Sequence, residues 1–329
     1  MPSARSSIAA PLSGCTPLFD AAALREADRR ASVDHHMPSI LLMERAGLAS
    51  AQEIMRRHAD SRCALVLVGP GNNGGDGMVV ARHLAEAGWR VRVAAPGGRA
   101  PAGADAAAMV AIAASLGIDI TTFGPHVPAP QAVVIDALLG TGGAGAPRGA
   151  LGSAVEWLSA IDNPVVALDI PSGVDGDSGR VAGAAVNADW TITYHGDMPG
   201  LRIDPGARHA GEVVVADIGI PSTVAVEATA WRSGARAAAS LPTKAHSQDK
   251  YGAGASLIIA GSRGLTGAAC LAARASLRAG GGLTVLGAPA SLQPLVAGQL
   301  QEIMCAPLPE GDGYLTGESV AQIMREAAR

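Results

Sequence analysis

The chain has 329 residues, 48% of them apolar and 16% charged, with a formal net charge of −4. That composition supplies a large core and room for about two domains of ~150 residues. It excludes the basic footprint of a nucleic-acid or anionic-membrane binder, and no apolar run reaches the ~18 residues of a membrane span.

Four scattered cysteines (Cys15, Cys63, Cys270 and Cys305) show no C-x-x-C spacing. They read as reduced thiols of a cytoplasmic protein. Aromatic residues make up only 3%, against 42 glycines and abundant alanine, which points to helices packed closely on a sheet through small side chains. Residues 1–17 carry Arg5 and several serines but no continuous apolar segment, so they are expected to form a disordered tail.

Helical periodicity covers 20–30 and 39–57, with Ser39 after Pro38 as the expected cap of the second helix. From Cys63 the pattern alternates. Strands are expected at 63–69, 90–95, 132–136, 164–170, 189–194 and 212–217, and helices at 77–87, 103–116 and 151–160. Short apolar runs separated by helices of ~12 residues predict a Rossmann-like, doubly wound, mostly parallel α/β sheet. The last two strands have no helix between them and are expected at an edge. The pattern weakens over 220–245, so the domain boundary is placed at 238/239. A second α/β unit then begins with a strand at 255–261, a helix at 267–278 and a strand at 283–287. With so few strands, 239–329 reads as an incomplete module.

Three turns carry the chemistry. The first follows Leu65-Val66-Leu67-Val68 and reads Gly69-Pro70-Gly71-Asn72-Asn73-Gly74-Gly75-Asp76-Gly77. Such a turn at a helix start aims backbone N–H groups at an anion. Its glycine spacing formally matches a dinucleotide fingerprint, but the second strand ends in Ala94-Ala95-Pro96 with no acid to hold a ribose. No Gly-Lys-Ser/Thr is present, which excludes a P-loop. Asp76 has two readings: N-cap of a helix starting at 77, or a ligand for loop amides or sugar hydroxyls. The second turn follows Val133-Val134-Ile135-Asp136 and contains Gly140, Thr141, Gly142, Gly143, Ala144, Gly145 and Ala146. The third follows Val166-Ala167-Leu168 and reads Asp169-Ile170-Pro171-Ser172. Acids at strand carboxyl ends lie where open α/β sheets bind ligands, so Asn73, Asp136 and Asp169 are expected around one cleft. Oxygen-only donors suit a hard cation rather than zinc or iron. The stretch Asp175-Gly176-Asp177-Ser178-Gly179 lacks the rest of a calcium loop and reads as a turn. Arg92 and Arg99 are candidates to meet a 2′-phosphate.

Taken together, these segments resemble the NAD(P)H-hydrate epimerase family. Leu42-Met43-Glu44-Arg45-Ala46-Gly47, Pro199-Gly200-Leu201 and Asp217-Ile218-Gly219-Ile220-Pro221 reinforce the match, which covers about 18–222. The resemblance implies an epimerase domain at 18–238 that interconverts the R and S forms of hydrated NADH and NADPH. It also implies a potassium ion held through Asn73, Asp136 and Ser172. Substrate would contact residues 72–76, residues 140–146 and Asp169, with Asp169 or Asp136 as the catalytic carboxylate. Residues from Lys244 to about Leu308 are similar to the opening of an ADP- or ATP-dependent NAD(P)H-hydrate dehydratase, through His246, Asp249, Tyr251, Gly252, Gly261-Ser262 and Gly280-Gly281-Gly282. The Asn-x-His-x-Gly-Glu and Gly-Thr-Gly-Asp segments of that family do not occur here, so the nucleotide site is expected to be missing and dehydratase activity absent. A homo-oligomer is expected, with no nucleic-acid or membrane partner. Other classes remain open at this stage: a catalytically idle dinucleotide sensor or scaffold, a nicotinamide-dependent oxidoreductase and a sugar-type kinase.

Overall fold

The computed structural model describes residues 14–124, 132–143, 145–240 and 249–328. The chain divides into two units, 1–239 and 240–329.

The first unit runs β1 (Thr16–Leu18), α1 (Ala21–Asp34), α2 (Ser39–Arg57), β2 (Cys63–Val68), α3 (Asn72–Glu86), β3 (Arg90–Ala95), α4 (Ala104–Ser115), β4 (Ile120–Thr122) and β5 (Val133–Ala137). It continues through α5 (Gly149–Leu158), β6 (Val165–Leu168), β7 (Trp190–Tyr194), α6 (Gly206–Ala210), β8 (Glu212–Ala216), β9 (Ala230–Arg232) and α7 (Ala235–Ala239). Seven strands form one parallel sheet in the order β4-β3-β2-β5-β6-β7-β8. Its central strands are buried at almost every position, because helices cover both faces of such a sheet. On one face Val66, Val68, Val93 and Ile135 pack with Met78, Val80 and Leu84 of α3 and Ile54 of α2. On the other, Leu65, Leu67 and Val134 pack with Val155 and Leu158 of α5.

Several expectations change. Helix α3 begins at Asn72 rather than 77, so most of the supposed loop is helix. Asparagine and glycine are poor helix formers, but close packing overrides that. A Cβ on Gly75 would lie 2.8 Å from Met43 Sδ, and one on Gly77 would lie 2.6 Å from Ala137 Cβ. Only glycine lets α3 approach α2 and the sheet this closely. Asp76 therefore lies inside the helix and is not its N-cap, which is Gly71. Ser39 is the first residue of α2, Pro38 occupies the cap position, and no side chain caps that end. Strand β6 stops at Leu168 because Asp169 turns into the left-handed region at φ 65°. A crossover containing α6 joins β7 to β8, so the two are parallel. β8 forms an edge, while β7 lies between β6 and β8. At the end of the expected tail, Thr16–Leu18 pairs antiparallel with Ala230–Arg232. Residues 1–13 lie outside the described residues.

The second unit runs β10 (Ala255–Ile259), α8 (Thr266–Arg278), β11 (Leu283–Pro289), α9 (Gln293–Ala297), β12 (Met304–Leu308), a hairpin of β13 (Glu310–Gly311) and β14 (Tyr314–Leu315), and α10 (Ser319–Ala327). Its sheet is parallel, in the order β10-β11-β12. Ala269, Cys270, Ala273, Leu286 and Val296 form its core. Leu265, Leu271, Leu295, Met304 and Met324 are exposed. Lys244 and His246 lie outside the described residues. Among the described residues no helix is long and apolar enough to cross a membrane.

Candidate functional site

The three turns leave the carboxyl ends of β2, β5 and β6, which are neighbours in the sheet. Gly69 N–H donates to Ala137 O at 2.9 Å. A Cβ on Gly69 would sit 1.7 Å from Leu138 O, so the first two turns touch backbone to backbone. Gly75 N–H is engaged by Gly71 O at 3.3 Å. The anion-facing amides are therefore those of the first helical turn, Asn72 to Gly74, rather than those of a free loop.

Asn73 is buried, 7% exposed. Its Nδ2 donates to Leu168 O at 3.3 Å, while its Oδ1 has no hydrogen-bond partner. An orphaned buried oxygen is costly. Asp136 is fully buried and pairs in register with Leu67 and Ala167. Its Oδ1 accepts from Leu138 N–H at 3.1 Å and from Ser172 Oγ at 2.7 Å, and its Oδ2 accepts from Ser172 N–H at 2.8 Å. Burial pushes the Asp136 carboxyl up to about 6, against the opposing pull of the Ser172 and Leu138 hydrogen bonds. Ser172 Oγ also accepts from Leu139 N–H at 2.9 Å, which fastens the second turn to the third.

Asp169 Oδ2 accepts from Thr141 N–H at 2.9 Å. A Cβ on Gly140 would lie 2.5 Å from that oxygen and 3.4 Å from Asn73 Cβ. Gly140 is thus the thin wall that lets all three turns meet. The structure brings Asn73, Gly140, Thr141, Asp136, Asp169 and Ser172 together. A Cβ on Gly142 or Gly145 would meet no atom within 4 Å, and both lie on the open stretch of the second turn. Ala144 lies outside the described residues.

Two acids join Asp169. Asp76 is raised well above the usual carboxylate range, first by burial and then by the charges of Asp169 and Asp28. Asp28, on α1, is pushed up to about 6 by crowding and by Asp169, although its outer side stays open to solvent. Asp76 and Asp169 are half-buried and Asp28 is exposed, so the three carboxyls are not sealed in a core. Burial also raises Asp169 above its usual range, opposed by the hydrogen bonds from Thr141. Sequence reasoning missed Asp28. Its signal is its position one helical turn beyond Leu24, which packs beside Ile170. The turn around Asp177 fixes α1 there, because Asp177 Oδ1 accepts from Ala21 N–H at 2.7 Å. Arg92 lines a cavity starting at the amino ends of β2 and β3, away from the strand ends where a 2′-phosphate was expected.

The donor set contains one buried carboxylate, one hydroxyl and one orphaned amide oxygen. Among the described residues no group of three His, Cys, Asp or Glu forms a metal cluster. Neutral oxygens around a single carboxylate suit a weakly charged hard cation.

A family profile described as "YjeF-related protein N-terminus" matches residues 39–200. Residues 39–200 thus carry a YjeF-related domain. It is 36% identical over 326 residues to a bifunctional NAD(P)H-hydrate repair enzyme, Nnr, of Moorella thermoacetica, covering 94% of this chain and 62% of that protein. It is 35% identical to the Salinibacter ruber enzyme of the same name, covering 91% and 59%. The Methanothermobacter thermautotrophicus enzyme is 35% identical over 303 residues, covering 89% and 56%. The chain thus spans about three-fifths of the length of these relatives. A crystal structure of yeast ynu0 superposes with a TM-score of 0.52 at 22% identity, covering 61% of this chain and 87% of that one, which supports the Rossmann-like fold.

Proposed function

We propose that residues 18–238 interconvert the R and S epimers of hydrated NADH and NADPH. The observation that carries this reading is the meeting of three strand-end turns around Gly140, with an anion-facing helix start on one side and Asp169 on the other. The repair-enzyme relatives support the substrate class. In this reading the amides of Asn72 to Gly74 hold the pyrophosphate, and the stretch 140–146 encloses the rest of the substrate.

A potassium ion fits the residues present. Asn73 Oδ1, Asp136 and Ser172 would hold it, which would give the orphaned amide oxygen a partner. When bound, the ion offsets the buried charge of Asp136 and stiffens the junction of the turns.

The reaction needs no net redox change. The carbon–oxygen bond at the hydrated ring carbon breaks, and the ring nitrogen lone pair forms an iminium cation. The departing hydroxide takes a proton and leaves as water. Water then adds to the opposite face and returns that proton. Two carboxyls with separated proton affinities suit these steps. Asp76, whose carboxyl is raised well above the usual range by burial and by the charges of Asp169 and Asp28, supplies a proton to the leaving hydroxyl. Asp169, oriented by Thr141, stabilises the ring cation. Asp136 is held in the cation cradle and acts as a positioning residue. Residues 240–329 are assigned no catalytic step.

The test is incubation of one purified hydrate epimer with the protein, followed by chromatography. Conversion to the mixture of epimers is expected, and loss of that conversion in Asp169→Asn. Binding of the epimer without conversion would refute the reading and favour a dinucleotide sensor.

A further inference from the structure

In a doubly wound sheet both faces of an inner strand are normally apolar. Strand β3 departs from this. Val91 and Val93 face the α3 and α4 side. The alternate residues Arg90, Arg92 and Ala94 face the side on which α5 packs, where Ala94 meets Leu65 and Leu67. Next to α5 the described residues leave a cavity of about 330 Å³ over β2, β3 and β4. It begins at Cys63 and Arg90, the first residues of their strands. Its floor includes Leu65 and Phe123, and Phe123 is held edge-on by Trp157 at a ring separation of 5.3 Å. Arg90 Nη2 donates to Cys63 Sγ at 3.0 Å, which holds its guanidinium over the cavity. Thr121 adds a hydroxyl to the lining.

Among the described residues that line it, none is acidic. Two arginines thus line one cavity, in a chain whose net charge is −4. Paired arginines present forked donors matched to phosphate oxygens. A ring-lined floor suits a flat aromatic body, and the volume suits a small ligand. We propose that this cavity is a second ligand site, separate from the mouth at the strand carboxyl ends, that takes a small aromatic molecule carrying a phosphate. Arg90 and Arg92 hold the phosphate, and Leu65 and Phe123 hold the ring.

The experiment is calorimetric titration of the full chain at low salt with AMP, adenosine and inorganic phosphate. Saturable AMP binding is expected, at least ten-fold tighter than either fragment and weakened as salt rises. The Arg90→Ala/Arg92→Ala variant, whose changes are at exposed positions, is expected to bind AMP at least ten-fold more weakly while epimer conversion is unchanged. Asp169→Asn, at the other site, is expected to bind AMP as the wild type does. No saturable AMP binding, equal affinity in the double arginine variant, or loss of binding in Asp169→Asn would each overturn the proposal. None of these outcomes bears on the epimerase reading, which is scored by conversion alone.

Discussion

Gly140→Ala tests the junction of the turns directly. The added methyl would begin 2.5 Å from Asp169 Oδ2. Ordinary contact lies near 3.5 Å, so the carboxylate must retreat by about 1 Å. That movement breaks the 2.9 Å bond from Thr141 N–H. A hydrogen bond to a charged group contributes about 1.5–3 kcal/mol, and the stiffer unfolded chain returns about 0.4–1 kcal/mol. Gly140 does not occupy the left-handed region, so alanine can adopt its backbone. A net stability loss of about 1–2 kcal/mol is expected, small enough for the protein to fold. Catalysis suffers more, because a misplacement of about 1 Å costs on the order of 100-fold. The assay is single-epimer conversion followed by chromatography, paired with thermal unfolding. Gly234→Ala, outside the three turns, also meets no atom within 4 Å; it is the control and is expected to behave as wild type. A Gly140→Ala enzyme that folds and turns over within about two-fold of wild type would refute the reasoning about Asp169.

Potassium in place of choline at equal ionic strength is expected to raise the unfolding temperature, by about 2.7 kcal/mol at a hundred-fold excess over Kd, and Asn73→Ala is expected to abolish the difference. Ser172→Ala removes the 2.7 Å bond to a fully buried carboxylate, so a stability loss of about 2 kcal/mol is expected in urea unfolding. The Asp136 carboxyl, about 6 when folded against an ordinary 3.8, binds its proton more tightly in the native state. Its contribution to stability is therefore present below pH ~4 and lost as pH rises through about 6. Loss of the Ser172 bonds is expected to move that decline to higher pH. Asp28→Asn removes a like charge that raises Asp76, so the alkaline fall of kcat/KM is expected at lower pH than in wild type; an unmoved pH profile would remove Asp28 from the site. Gly69→Ala places a methyl 1.7 Å from Leu138 O, and no soluble folded protein is expected on expression.

The strands at the centre of the sheet were legible because each is buried on both faces. Leu65-Val66-Leu67-Val68 and Val133-Val134-Ile135 therefore read as continuous apolar runs. The acids at strand ends were legible for the same reason, since a charge that closes such a run marks the sheet's carboxyl edge. The start of α3 was not legible. Local propensity argues against a helix through Asn72-Asn73-Gly74-Gly75, and only the contacts of Gly75 and Gly77 with Met43 and Ala137 explain it. Strand β4 spans three residues at an edge, too short to show a period. Asp28 was hidden because its partners, Asp76 and Asp169, lie far away along the chain and meet it only once α1 crosses the strand ends.

The ladder between Thr16–Leu18 and Ala230–Arg232 has a mechanical consequence. It stitches the entrance of the first unit to its exit, just before residue 240. Tension applied through the following segment would load this short antiparallel clasp first, and would open it like a zipper from Thr16 and Arg232 before reaching the seven-stranded sheet. The clasp would thus act as a strain relief, insulating the carboxyl-end turns of the sheet from tugging through that segment.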